Sequence, residues 1–190
     1  DYAGLCGALI DLWEATFERR WLDRALKIAD SMVELFWDED DGGFFYAGHD
    51  AERLVARSKN LLGGAVPSGN GLAALACARL ETLCGRKDLG ERAERVARSY
   101  QVLLQGASRA LGPEALAAAW LTGPVAEIGI VGTGDRGQEL LAAVRARCLP
   151  FAALACVAPE DVPGDLIPWL EGKVRQDGSD TAYVCRNHAC

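Results

Sequence analysis

Apolar positions recur at helical spacing through the first two-thirds of the chain. Tyr2, Leu5, Leu9, Leu12, Trp13 and Phe17 predict a helix over 2–17. Leu22, Leu26, Ile28, Ala29, Met32, Val33 and Phe36 predict a second over 21–37, on a broad apolar stripe. Only Glu18 to Arg20 separates the two, a link short enough to make them antiparallel neighbours. The acidic turn of "DEDDGGFFYAG" and its Gly42-Gly43 pair stop the helix, and Phe44 to Tyr46 suits a short extended strand. A third helix is expected after "VPSGN", where Ser68 or Asn70 caps exposed N–H groups and Leu72, Leu75, Leu80 and Leu83 form the buried stripe. Gly85 closes it. A fourth helix follows over about 89–104 and a shorter fifth over about 114–121.

A shift of 68 positions lays Arg24-Ala25 on Arg92-Ala93, Ile28-Ala29 on Val96-Ala97 and Ser31 on Ser99. It also lays Leu12 on Leu80 and Tyr2 on Asn70. A repeated helical hairpin is the unit of an α-solenoid or an α/α toroid, where each pair buries its face against the next. After Gly123-Pro124 the pattern changes. Strands over 127–131, 151–157 and 181–185, a helix over 138–147 and a short helix near 165–170 predict a small α/β appendage. The expected fold is therefore mainly α: residues 1–124 as helical hairpins of an incomplete toroid, and residues 125–190 as a small C-terminal α/β segment.

The stretch "IGIVGTGDRGQELLAAV" presents Gly132, Gly134 and Gly137 in G-x-G-x-x-G spacing between a strand and a helix. Glu160 and Asp161 lie about twenty residues on, where a ribose-binding acid sits in dinucleotide folds. Against a nucleotide stand Asp135 inside the loop, Pro159 at the end of the second strand, and too few strands for more than one mononucleotide-binding half. A tight strand-to-helix turn accounts for the glycines more simply, and no cofactor is expected.

Half of the 190 residues are apolar and a quarter charged, enough for a real core. A net charge of −7 argues against nucleic acid or an acidic membrane surface as partner, because phosphate contacts need clustered Lys and Arg. No run approaches the roughly eighteen apolar residues of a membrane span. Helical periodicity starts at once after Asp1, without initiator Met or signal-like segment, as expected of a chain entered partway through a larger protein. Of seven cysteines, Cys6, Cys77 and Cys84 fall on helical apolar faces, and Cys148 and Cys156 flank or occupy apolar runs. This is not the even spacing of a secreted disulfide scaffold, so a reducing, cytoplasmic setting is expected. The terminal "YVCRNHAC" brings Cys185, His188 and Cys190 together, one ligand short of a closed zinc site. A Cys185–Cys190 disulfide, a buried strand position for Cys185, and redox or metal chemistry all remain open.

Two short signatures, "DYAG" at the start and "VPSGNGLAAL" at 66–75, superpose under the shift. They place Asp1, Tyr2, Ser68 and Asn70 at the same end of equivalent helices. In an α/α toroid such ends ring a central cavity, where polar side chains hydrogen-bond a sugar or similar polyol. Phe45 and Tyr46, in the loop between these helices, add a stacking face. The plainer alternative is that all four polar residues only cap helices. Hydrolysis of a glycoside needs two facing carboxylates. Glu14 and Asp38 to Asp41 are available, but the latter read as a solvated turn. A sugar epimerase commonly uses histidine, and His49, in a polar turn, has no recognisable partner.

Together, "DYAGLCGALIDLWEATF", "ALKIADSMVELFWDEDDGGFFYAGHDAERLVARSKN", "GAVPSGNGLAAL" and "TAYVCRNHAC" resemble the YyaL / spermatogenesis-associated protein 20 family over nearly the whole chain. The resemblance implies an N-terminal thioredoxin-like domain and the first half of a helical toroid, both missing from this sequence. The toroid of that family is similar to six-hairpin glycosidases and N-acylglucosamine 2-epimerases, which implies a small carbohydrate as ligand. It equally admits a non-catalytic scaffold serving the thioredoxin-like domain. The family carries a Tyr-Asp pair before the "GA" of its "GAxPSGN" segment, where this chain has Leu62-Gly63. Half a toroid would leave apolar helix faces uncovered, so low stability or self-association is expected.

Overall fold

A computed structural model describes residues 1–52, 56–59, 62–64, 66–107 and 111–186. It is mainly helical, with one small sheet. The chain separates into two compact units. The first comprises Asp1–Trp13, Glu18–Glu81 and Arg86–Thr122; the second comprises Glu14–Phe17, Thr82–Gly85 and Gly123–Cys190.

The first unit holds helices α2 (Arg19–Phe36), α4 (Lys87–Ser99), α5 (Gln101–Ala107) and α6 (Gly112–Thr122), and all but the last turn of α1 (Tyr2–Thr16) and α3 (Gly69–Cys84). Ala3, Cys6, Ile10 and Trp13 form the buried stripe of α1, and Leu22, Ala25, Ala29 and Met32 that of α2. The Cys6 thiol donates to the Ala25 carbonyl at 3.5 Å, and the Tyr2 ring packs at a tilt against Phe36, centroids 5.1 Å apart. The start of α1 thus meets the end of α2, as the three-residue link predicts for antiparallel neighbours. Helix α3 is the most enclosed, with Ala73, Ala74, Ala76, Cys77, Ala78, Leu80 and Leu83 all buried. Arg79 of α3 pairs with Asp11 of α1 at 2.7 Å. The N-terminal ends of both helices also line one pocket, so α1 and α3 run side by side in the same direction.

In the second unit, β1 (Ala126–Val131) is central, in the order β2-β1-β3. It pairs in parallel with β2 (Ala152–Val157), Ala126 opposite Ala152, and antiparallel with β3 (Thr181–Arg186), Val131 opposite Thr181. Helix α7 (Asp135–Arg145) makes the crossover between the parallel strands. Ile130, Leu141 and Cys156 form its buried centre, with Phe17, Leu140, Leu154 and Ala182 packed around them. Gly129 has no side chain because Leu170 and Trp169 lie over β1; a Cβ there would meet Leu170 Cδ2 at 2.6 Å.

Four elements differ from the sequence expectation, each for a local reason. Phe17 is not helical but ends α1 with φ at 56°, a conformation costing about 1–2 kcal/mol in a non-glycine residue. Its ring packs onto the Ile130 cluster in return, and Arg145 donates to the α1-terminal carbonyls of Glu14 and Ala15. The expected fourth helix is two, because the chain breaks at buried Tyr100. There Ser99 Oγ turns back onto the Val96 carbonyl at 2.7 Å. Phe44 forms one isolated bridge to Trp37 rather than a strand, since Gly42 and Gly43 both turn at positive φ. The short helix near 165–170 is a single 3-10 turn at Pro168–Leu170.

Candidate functional site

The first unit contains a cavity of about 780 Å³ at the N-terminal ends of α1 and α3. Ser68 ends the preceding loop: its hydroxyl accepts from the Gly71 N–H at 3.2 Å, and its carbonyl from the Leu72 N–H at 3.1 Å. This capping leaves Ser68 buried and outside the cavity wall. Asn70, one position into the helix, does something else. Its Oδ1 accepts from the Phe44 N–H at 2.7 Å, while its Nδ2 donates to the Phe44 carbonyl at 2.9 Å. A single amide thus satisfies both backbone groups of a buried residue that has no strand partner for them.

That clamp fixes the acidic turn and the aromatic run after it. Asp38 accepts from the Asp40 and Asp41 N–H groups and pairs with Lys59, whose ammonium also donates to the Gly42 carbonyl at 2.6 Å. The Lys59 hydrogen bond holds the Asp38 carboxyl below its ordinary value against the opposing effect of burial, and the two N–H groups add to the lowering. Arg95 donates to the Glu39 and Asp40 carbonyls. Phe44 packs edge-on against Trp37 at 5.0 Å. The next ring, Phe45, carries the Arg57 guanidinium at 4.1 Å and the Lys59 ammonium at 5.1 Å. Arg57 is itself held by the Ala47 and Leu35 carbonyls. Tyr46 stands out into solvent.

Asp1, Tyr2, Phe45, Tyr46 and Asn70 therefore line one cavity, together with Phe36, Phe44, Met32 and Leu72. Nothing in the pattern singles out Phe36, whose spacing marks it only as a core position. Arg57 and Lys59 were visible within the "RSKN" stretch, but nothing in the pattern tied them to Phe45. Leu62 is exposed, and a Cβ at Gly63 would meet the Ser68 nitrogen at 3.0 Å. A side chain at position 63 needs the backbone of the capping segment to give way.

Behind the first turn of α3 lies a polar cluster that helical periodicity hides. Glu114, in the first turn of α6, is buried, and its carboxylate has no hydrogen-bond partner among the described residues. It lies against Gly71, where an added Cβ would meet the carboxyl carbon at 2.5 Å. The Tyr100 hydroxyl is close by, without a partner of good geometry. Burial raises the Tyr100 pKa, the neighbouring Ser68 hydroxyl lowers it, and the Glu114 charge raises it further.

The remaining candidates are elsewhere. Glu14 lies in the second unit, its carboxylate 3.4 Å from the Leu154 N–H. His49 is exposed, and its N–H donates to the Leu35 carbonyl. Cys185 is buried and disulfide-bonded, while His188 and Cys190 lie outside the described residues. Among the described residues no group of three His, Cys, Asp or Glu is placed to hold a metal, and no helix is long and apolar enough to cross a membrane.

In the second unit the glycine loop holds a carboxylate from its own chain. Asp180 Oδ2 accepts from the Gly137 N–H at 3.0 Å, and Oδ1 pairs with Arg175 at 3.1 Å. A Cβ at Gly132, whose φ is 125°, would meet Asp180 Oδ1 at 2.1 Å, and one at Gly137 would meet the Gly132 carbonyl at 2.2 Å. The three glycines thus serve a close turn and an internal acid at the α7 N-terminus, where a bound phosphate would otherwise sit.

No protein-family profile matches the chain. Human spermatogenesis-associated protein 20 is 32% identical over 197 residues, spanning all of this chain and 25% of the human protein. The rat and mouse proteins of that name are 29% and 28% identical, each over 195 residues and again 25% of their length. Over this stretch, the chain is homologous to spermatogenesis-associated protein 20. It spans about a quarter of the length of those relatives.

Proposed function

We propose that the chain is part of an α/α toroid that binds a carbohydrate in the cavity between the α1 and α3 N-termini. One observation carries this most strongly. Two signatures that superpose under the 68-residue shift line a single cavity, and between them stand the rings of Tyr2, Phe36, Phe45 and Tyr46. Aromatic faces suit the C–H faces of a pyranose, and the parallel course of α1 and α3 is that of successive inner helices in a toroid. Likeness of fold adds only an analogy. Within this proposal Tyr2, Phe45 and Tyr46 stack, Asp1 accepts a hydroxyl, and Asn70 and Ser68 hold the rim in place. Binding is favoured over hydrolysis: Asp1 is the only carboxylate among the cavity's described lining residues, and hydrolysis needs two. A thermal-shift screen of monosaccharides tests it. At least one is expected to raise Tm, with the gain lost in Phe45→Ala; no shift for any sugar would refute the proposal.

A second proposal, a scaffold within a larger thioredoxin-domain protein, draws on Leu5 and Leu12, which are 50% and 40% exposed on one side of α1. There the N-terminal remainder of the polypeptide covers α1. Redox activity of the full-length protein should then survive Asn70→Ala unchanged. The free thiols of Cys6, Cys77, Cys84, Cys148 and Cys156 suit a reducing, cytoplasmic compartment. There the Cys185 disulfide would have to resist reduction, as its burial favours.

A further inference from the structure

We propose that Asn70-Gly71 is a latent self-modification site: when the first turn of α3 opens, Asn70 deamidates and the clamp on Phe44 is lost for good. Of the chain's three asparagines, Asn70 alone precedes a glycine. Asparagine is thermolabile, and a following glycine, with no side chain and a permissive backbone, lets the chain close on itself most readily. The Gly71 nitrogen attacks Asn70 Cγ. A C–N bond forms, the Cγ–Nδ2 bond breaks, and the Gly71 amide proton leaves with Nδ2 as ammonia. Water then opens the cyclic imide at either carbonyl, giving aspartate or isoaspartate with no change of oxidation state.

The fold calls for both members of this pair. Asn70 gives Phe44 an acceptor and a donor at once, which neither a carboxylate nor an alkyl side chain can do. Position 71 takes only a glycine without displacing Glu114, whose carboxyl carbon lies 2.5 Å from where a Cβ would stand. The same contacts guard the reacting atoms. Oδ1 and Nδ2 are tied to Phe44, and the Gly71 N–H is donated to Ser68 Oγ at 3.2 Å. Asn70 is buried, which keeps out the water that completes the reaction. Both residues also lie in the first turn of α3, and the imide ring cannot close at helical backbone angles. The Gly71 amide must leave Ser68 both to attack and to exchange its hydrogen, so one opening governs the two reactions. Either product leaves the Phe44 carbonyl without its donor and sets a negative charge nearby.

The test ages the full chain in mildly alkaline buffer beside a synthetic peptide of residues 66–75. Peptide mapping by mass spectrometry counts aspartate and isoaspartate at position 70. Conversion is expected in both, at least about thirtyfold slower in the chain, by a factor that matches the protection of the Gly71 amide from hydrogen exchange. Ser68→Ala, which removes the cap, should speed conversion in the chain about fivefold. The aged form, separated by its extra negative charge, should show fast exchange at Phe44. Equal rates in chain and peptide overturn the proposal, as does a peptide that stays intact. So does a chain that stays intact while its Gly71 amide exchanges, or an aged chain whose Phe44 amide exchanges as slowly as in the fresh protein.

Discussion

Replacing Asn70 with alanine removes the two hydrogen bonds that hold Phe44 in place. The side chain is 3% exposed and Phe44 5% exposed, so neither freed backbone group has water at hand. A buried N–H or carbonyl left without a partner costs about 1–3 kcal/mol. The 2.7 and 2.9 Å bonds have good geometry, so Asn70→Ala should destabilise the first unit by about 2–5 kcal/mol, reduced to the extent that the turn opens to solvent. Asn70→Asp keeps the acceptor for the Phe44 N–H but sets a carboxylate against the Phe44 carbonyl, and should recover little. Urea denaturation gives the global loss, and amide hydrogen exchange at Phe44 and Phe45 locates it. A loss below about 1 kcal/mol, with Phe44 exchange as slow as in the wild type, would show that the clamp does not carry the turn.

Gly71→Ala, which in an ordinary helix gains up to about 1 kcal/mol, should instead lose about 1–3 kcal/mol by driving a methyl into Glu114. A Glu114→Ala background should shrink that loss, and additive effects in the double-mutant cycle would exclude the contact. Asp180→Ala strips the Gly137 N–H and Arg175 of their partner and should cost the second unit about 1–3 kcal/mol, visible as faster exchange in the first turn of α7. The lowered Asp38 pKa stabilises the fold above the ordinary aspartate range, near pH 4, and that gain is lost as pH falls through the folded value. Lys59→Met should therefore lower stability at pH 6 and flatten its acid dependence below pH 4; an unchanged acid limb would refute the assignment to this pair.

Helix existence was legible because the apolar spacing that defines a helix also defines its buried stripe, as Ala25, Ala29 and Met32 show in α2. Breaks were less legible. Nothing in the periodicity marks Tyr100, since a buried aromatic fits a continuing helix as well as a break. Phe17 ends α1 through tertiary packing that no local rule contains. At the cavity, the residues at helix starts were readable from cap chemistry, but the division of labour was not. Ser68 and Asn70 look interchangeable as caps, and only the fold shows one closing its own helix while the other serves a strandless turn 26 residues earlier. Glu114 was invisible as a buried acid because its neighbour Pro113 and the short α6 read as an ordinary helix start. The glycine loop was ambiguous for the opposite reason: what fills it, Asp180, lies 43 residues from Gly137.

The Asp11–Arg79 pair joins two positions that are 68 residues apart, the interval of the faint internal echo. In the toroid proposed above, corresponding sites of adjacent copies would touch there. Identical copies would then set two acids or two bases against each other, and like charges this close repel. Divergence at such sites would be a condition of stacking the copies in register, and a faithful duplication would begin life with a flawed seam. The faintness of the echo would then be a product of good packing.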